Sequence, residues 1–296
     1  VLREDVVHRG DKHRVATILA RRERDRLGLR DARRNLRHEL HGGDARQVVL
    51  LGQAHKLMHT IGRFVRQAHM AHFAMAQQDI RYYLNGMLMV FEPGLLRAVA
   101  TDGHRLAHSS TAVEGVLAKH EVIVPRKTVL EMQRLLDESD EPVTIDVAPG
   151  QIRFSFGHVE LVSKLVEGKF PDFNRVIPSN YTRHFDVSRE ILQGCLQRAA
   201  ILTTDKFRSV RLQLGQHLLK ISSTNAEQEE AQEEIDVDYE HEALDVGFNV
   251  SYLLDFLANV KAETIRWSVM PDANASALIT LPDDESFKYV VMPMRI

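Results

Sequence analysis

The chain repeats itself, and an internal repeat limits the fold more tightly than any single motif, because whatever one copy forms the other must form too. Met87-Leu88 followed by Val99-Ala100-Thr101-Asp102 corresponds to Arg211-Leu212 followed by Ser222-Ser223-Thr224-Asn225. Val122 to Leu130 corresponds to Asp245 to Leu253, and the offset is 123–124 residues both times. In each copy a short strand leads into a helix with Thr128 or Ser251 near its start. Apolar residues then recur at helical spacing: Val129, Leu130, Met132, Leu135 and Leu136 in one copy, Leu253, Leu254, Phe256, Leu257 and Val260 in the other. Alternating runs at 143–147 and 152–156, and at 264–269, 277–281 and 289–293, read as strands. The expected class is α+β: repeated domains, each with helices packed on antiparallel sheets. The copies join around 170–178, where Pro171 and Pro178 stiffen the connection.

Charge divides the chain elsewhere. Residues 1–70 carry 16 basic against 8 acidic side chains, a balance of +8; the remaining 22 basic and 33 acidic side chains give −11, and the total is −3. Seven of the fifteen histidines also fall before residue 71. This segment admits three readings: a basic nucleic-acid-binding arm, a solvated or poorly ordered extension, or the product of a shifted frame in a GC-rich gene. The expected boundaries are a basic segment at 1–72, a first domain at 73–180 that is incomplete at its start, and a second at 181–296. His55/His59 and His69/His72 have helical spacing for a metal but lack Cys or acidic neighbours, so no metal site is expected. No apolar run is long enough for a membrane helix, and the amino end has no signal-peptide pattern. Cys195 is the only cysteine, so an internal disulfide is excluded and a cytoplasmic location is expected.

Chemistry concentrates at 73–109. The run Gln78-Asp79-Ile80-Arg81-Tyr82-Tyr83 suits nucleic acid, since Arg takes a phosphate and Tyr stacks on an unpaired base. Paired tyrosines are also ordinary half-buried strand residues. Thr101-Asp102-Gly103-His104-Arg105 reads as an exposed loop, and Asp102 with His104 offers a hydrolase reading that competes with a hydrogen-bonded structural histidine. The acidic run Glu227 to Glu234 reads as a solvated strand edge or a partner-facing surface. The apolar carboxyl end, Val290 to Ile296, reads either as a buried last strand or, with two methionines around Pro293, as an adaptable groove for short apolar peptides. No nucleotide-binding glycine loop, His-Glu-x-x-His or nucleophile elbow occurs, and no cofactor is expected.

Together these runs resemble a known family. Ala74 to Gly86, Ala100 to Ala107, Ile123 to Lys127, Ser163 to Asp172, Gly247 to Tyr252 and Tyr289 to Arg295 closely resemble the middle and last domains of the bacterial DNA sliding clamp, the β subunit of DNA polymerase III. The resemblance implies the DNA-clamp fold and a non-catalytic role: a ring of two subunits around duplex DNA that confers processivity on the replicative polymerase. It implies that Gln78, Tyr82 and Tyr83 touch DNA, joined on charge grounds by Arg81, Arg126 and Lys127. It also implies a groove for peptide motifs of replicative and repair polymerases and of the clamp loader. Leu84, Thr101, Gly103, His104, Arg105, Leu106, Pro171, Arg175 and Val176 would line it, with Asn249, Tyr252, Ser276, Val290, Met292, Pro293, Met294 and Arg295 from the last domain. Ile201, Leu202 and Phe207 match the region facing a partner subunit or the loader. Residues 1–72 match nothing in the family's first domain, so a truncated relative that binds partner peptides without forming a ring is the alternative.

Overall fold

The computed structural model describes residues 17–20, 55–113, 119–135, 142–178, 180–204 and 208–295. The two copies share one element order. In the first, β2 (His55–Thr60) enters α1 (Ile61–His72), followed by β3 (Gly86–Glu92), β4 (Leu95–Thr101), β5 (Arg105–Ala112) and β6 (His120–Pro125). Then come α2 (Arg126–Leu135), β7 (Pro142–Ala148), β8 (Gln151–Phe156) and β9 (Val159–Lys164). The second copy runs β10 (Arg183–Ser188), α3 (Arg189–Ala199), β11 (Ser209–Gly215), β12 (Leu218–Thr224), β13 (Glu230–Asp236) and β14 (Leu244–Asn249). It closes with α4 (Val250–Asn259), β15 (Thr264–Val269), β16 (Ala277–Leu281) and β17 (Asp284–Val291). A short strand, β1 (Thr17–Ala20), pairs antiparallel with β9. The first copy's opening strand and helix thus lie ahead of residue 73, where the sequence first reads as orderly.

Among the described residues the strands form three antiparallel sheets, in the orders β1-β9-β8-β7-β2, β10-β15-β16-β17-β5-β4-β3-β6 and β13-β12-β11-β14. The second contains four strands of each copy. Its seam is the β5–β17 pair, with Arg105, Leu106, Ala107, His108 and Ser109 opposite Val291, Val290, Tyr289, Lys288 and Phe287.

Local sequence explains the elements. β8 buries Ile152, Phe154 and Phe156 and turns the intervening residues outward, as a half-buried strand must. Arg153 on β8 reaches Asp146, its register partner on β7, at 2.5 Å. At the start of α4, Asn249 accepts from the Ser251 N–H at 2.9 Å, so asparagine supplies the cap and Ser251 lies inside the helix. Thr128, near the start of α2, instead shares a buried 2.7 Å hydrogen bond with Ser163 on β9. Behind the seam, Phe256 of α4 stacks on Tyr289 at 5.0 Å, and Phe73, just beyond α1, meets the same ring at 5.5 Å. The buried Tyr289 donates its hydroxyl proton to the Tyr252 carbonyl at 2.9 Å. Both copies therefore contribute to one aromatic core across the sheet junction.

Candidate partner-binding cleft

Two loops of the first copy and the last strand of the second meet over a cleft of about 240 Å³. Residues 76–85 form the first loop. Asp79 and Asn85 lock it reciprocally: the Asp79 N–H donates to the Asn85 side chain at 2.9 Å, and the Asn85 amide donates to the Asp79 carbonyl at 2.8 Å. A single 3-10 turn, Tyr82–Leu84, follows and buries Leu84. Arg81 grips the Asp79 carboxylate with two nitrogens, at 3.0 and 2.8 Å, and reaches the Asp102 carbonyl at 3.3 Å. The guanidinium holds the Asp79 carboxyl down at a pKa of about 2.

The second loop, 101–106, is tied by its own polar groups. Thr101 donates its hydroxyl proton to the Arg105 carbonyl at 2.6 Å and accepts from the Gly103 N–H at 3.1 Å. Asp102 accepts from the backbone N–H groups of His104 and Arg105, at 2.9 and 3.0 Å, and from Arg105 Nε at 3.1 Å. Gly103 adopts φ +92°, and a Cβ there would stand 3.1 Å from the Arg81 guanidinium. The backbone conformation favours glycine here, and a Cβ would in addition press on the arginine laid across it. The Met292 N–H donates to the His104 carbonyl at 2.9 Å and so fastens the loop to the second copy.

The cleft floor is apolar: Leu84, Leu106, Phe170, Phe173 and Val290 are all buried. Val176 and Met292, 38% and 47% exposed, form an apolar rim, and Arg81, Arg105 and His104 supply polar nitrogens. A mostly apolar concavity with a few fixed polar groups suits a short apolar segment bearing a polar or acidic end.

Of the residues expected in one groove, the structure gathers Leu84, Thr101, Gly103, His104, Arg105, Leu106, Pro171, Val176, Val290 and Met292 around this cleft. Ser276, Pro293, Met294 and Arg295 line a second, more polar depression of about 520 Å³, which shares Met292 with the first. Three expected residues line neither: Asn249 caps α4, Tyr252 lies under Arg105 with its ring centre 4.4 Å from the guanidinium carbon, and the exposed Arg175 pairs with Asp172 at 3.2 Å. Phe170 and Phe173 were not singled out from sequence. Two aromatics spaced three apart in a proline-flanked link were the available signal.

The residues expected on DNA are distributed differently. Gln78, Tyr82 and Lys127 are exposed, as is Ile80 at 95%. Arg81 and Tyr83 also line the cleft. Arg126 is half-buried, donates to the Met75 carbonyl at 3.4 Å, and has its pKa lowered by burial. Its N–H bonds to the Asn85 carbonyl at 3.0 Å, which sets the start of α2 against the end of the tyrosine loop. Ile201, 77% exposed, and the half-buried Leu202 sit in a turn after α3, whereas Phe207 lies outside the described residues.

Asp102 and His104 form no catalytic dyad. The Asp102 carboxylate is taken up by backbone N–H groups and Arg105, while the His104 ring stacks at 6.5 Å on Tyr252. The hydrolase reading falls on that geometry. His69 and His72 likewise stack on each other at 5.3 Å, with His72 Nδ1 bonded to the His69 carbonyl, and burial lowers the His72 pKa. The side chains of His55 and His59 lie outside the described residues. Among the described residues one set of metal-ligating groups converges, His217, Asp238 and Glu240, all exposed.

Comparison with known proteins agrees with this architecture. Residues 60–172 match the central domain, and 174–295 the C-terminal domain, of the DNA polymerase III beta subunit. The chain is 46% identical over 224 residues to the beta sliding clamp of Vibrio cholerae, and 49% identical over 225 residues to that of Pseudomonas aeruginosa. Each alignment takes in 76% of this chain and 61% of the relative, so the chain spans about three fifths of the length of these proteins. A crystal structure of the Pseudomonas aeruginosa DNA polymerase sliding clamp superposes with a TM-score of 0.79 at 46% identity, over 81% of this chain and 67% of that one. Another crystal structure of that clamp, bound to griselimycin, gives the same score and identity over 82% and 66%.

Proposed function

The chain belongs to the DNA polymerase III beta subunit family, the bacterial sliding clamps, and from this membership we propose that it tethers DNA polymerases to duplex DNA by taking their short apolar peptide motifs into the cleft. The observation that carries the reading is the cleft itself: an apolar floor drawn from both copies, rimmed by Val176 and Met292 and flanked by arginines. Replicative and repair polymerases and the clamp loader are the proposed partners, and the nucleoid is the proposed place of work. None of the helices described is long and apolar enough to cross a membrane.

Encirclement of DNA is the second half of the proposal. The body from residue 71 onward carries a net charge of −11. A surface of that sign repels phosphates, so retention has to be topological, with no reliance on a tight grip. Gln78, Tyr82 and Lys127 are the exposed groups proposed to brush the duplex. Ile201, Leu202 and Phe207 are proposed to face a partner subunit or the loader. The competing reading is a relative that holds partner peptides without closing a ring.

The decisive experiment follows the anisotropy of a labelled polymerase carboxyl-tail peptide titrated with the full chain. Saturable binding is expected, weakened at least about tenfold by Val176→Asp or Met292→Asp, because both side chains are exposed and apolar in the free protein. Absence of saturable binding would sink the reading. Retention on closed circular DNA, lost on linearisation, separates ring from peptide holder.

A further inference from the structure

We propose that Asp255, on α4 of the second copy, is a positioning residue for the cleft in the first copy, acting through the Arg105 guanidinium. The inference rests on the peptide-binding reading above and names a residue which that reading does not include.

Arg105 is only 9% exposed, yet it lines the cleft. Its charge is answered from two sides. Nε donates to Asp102 in its own loop at 3.1 Å, and Nη1 donates to Asp255 across the seam at 2.7 Å. The face of the same guanidinium lies over the Tyr252 ring, also on α4. A planar fork held at two nitrogens and one face has a single orientation. With Asp255 removed, the fork keeps its Nε anchor and its place over Tyr252 but loses the hold on Nη1, so it is free to rock about Asp102, and a partner peptide must then order it on binding, at an entropic cost. Asp255 itself is 48% exposed, so its carboxylate fills no space that packing requires. Among the described residues its carboxylate pairs directly with Arg105, and it is also felt electrostatically by Arg126 and His72. The loop at 101–106 is bonded to the second copy at a further point, the Met292 N–H on the His104 carbonyl, which leaves the backbone in place when the ion pair is lost.

The test compares wild type, Asp255→Asn and Asp255→Glu in the full chain, using the labelled polymerase-tail peptide and the exchange rate of the Arg105 Nη protons by NMR. Expected are peptide binding weakened about tenfold in Asp255→Asn, recovery with Asp255→Glu, and Nη protons that exchange slowly in wild type and fast in Asp255→Asn. A lost carboxylate that acted through global stability would not be rescued at the cleft alone, so melting temperatures are recorded alongside, and Asp255→Ser replaces Asp255→Asn if that variant does not fold. Wild-type binding with unchanged affinity in Asp255→Asn overturns the positioning role and leaves the peptide reading standing. If wild type binds no peptide, the peptide reading fails and the exchange rates decide alone: slow and then fast supports the positioning role, equal rates overturn it.

Discussion

His108 lies on the seam strand β5, opposite Lys288, with its ring centre 5.8 Å from that of Phe173. Burial, aided by Lys288 and Arg97, pushes its pKa down to about 4. The imidazole therefore stays neutral in the folded protein through a range where the unfolded chain, near 6.5, takes up a proton. Stability is full above about pH 6.5, declines as pH falls toward 4, and levels off below, with a total loss of at most ~3 kcal/mol. Urea midpoints measured at pH 7 and pH 5 are expected to differ in wild type and to differ less in His108→Gln, where the buried His72 still contributes in the same direction. Asp79 acts in a separate window, below its ordinary pKa of 3.8 and down toward 2, because Arg81 stabilises its charged form. At this scale sequence reading reaches a side chain's own chemistry but not its distant neighbours. Arg81 reads as a phosphate ligand; that it also grips Asp79 and lies over Gly103 rests on a contact 22 positions away that no local pattern encodes. Phe170 and Phe173 were legible as joining-segment residues but not as a floor, because the surface they complete comes from the other copy.

Among the elements, β3 shows how closely one strand can be held. At Gly86, opposite Pro125, a Cβ would stand 2.6 Å from the Val124 carbonyl oxygen and 2.9 Å from a methyl of Ile123. Backbone cannot yield as a side chain does, so Gly86→Ala is expected to cost ~1–3 kcal/mol through separation of β3 from β6, measured as a lowered urea midpoint with unchanged slope. The strands of the repeat were readable because their alternation matches burial, as in β8. The acidic run was also readable: Glu230–Asp236 is β13, at the edge of its sheet, with Glu233 clasped by Arg198 at 2.7 Å. α1 was not. Ile61, Phe64, Val65, Ala68 and Ala71 recur at helical spacing, and over 66–72 the helix buries Gln67, Ala68, Met70 and Ala71. The stripe went unread because it sits in a segment whose composition is dominated by Arg and His.

At the level of the whole molecule, the repeat announced two domains, while their joining was hidden. Strand pairing across a seam depends on which edges meet, and neither edge is marked in its own sequence. The joining is nonetheless extensive: the β5–β17 ladder, the stacked Phe256 and Tyr289 with Phe73 against them, the Arg105–Asp255 pair, and the Met292 N–H on the His104 carbonyl at 2.9 Å. Outside this joinery runs the link itself, where Pro171, Asp172, Asn174, Arg175 and Val176 are all exposed to solvent. Continuity of the polypeptide and continuity of the fold are therefore separate properties here. A protease that severs the exposed link would leave a nicked molecule whose halves stay hydrogen-bonded to each other: two bands on a denaturing gel and one peak on a sizing column. Halves that drift apart after the cut would show that the chain, and not the shared sheet, is what keeps the domains together.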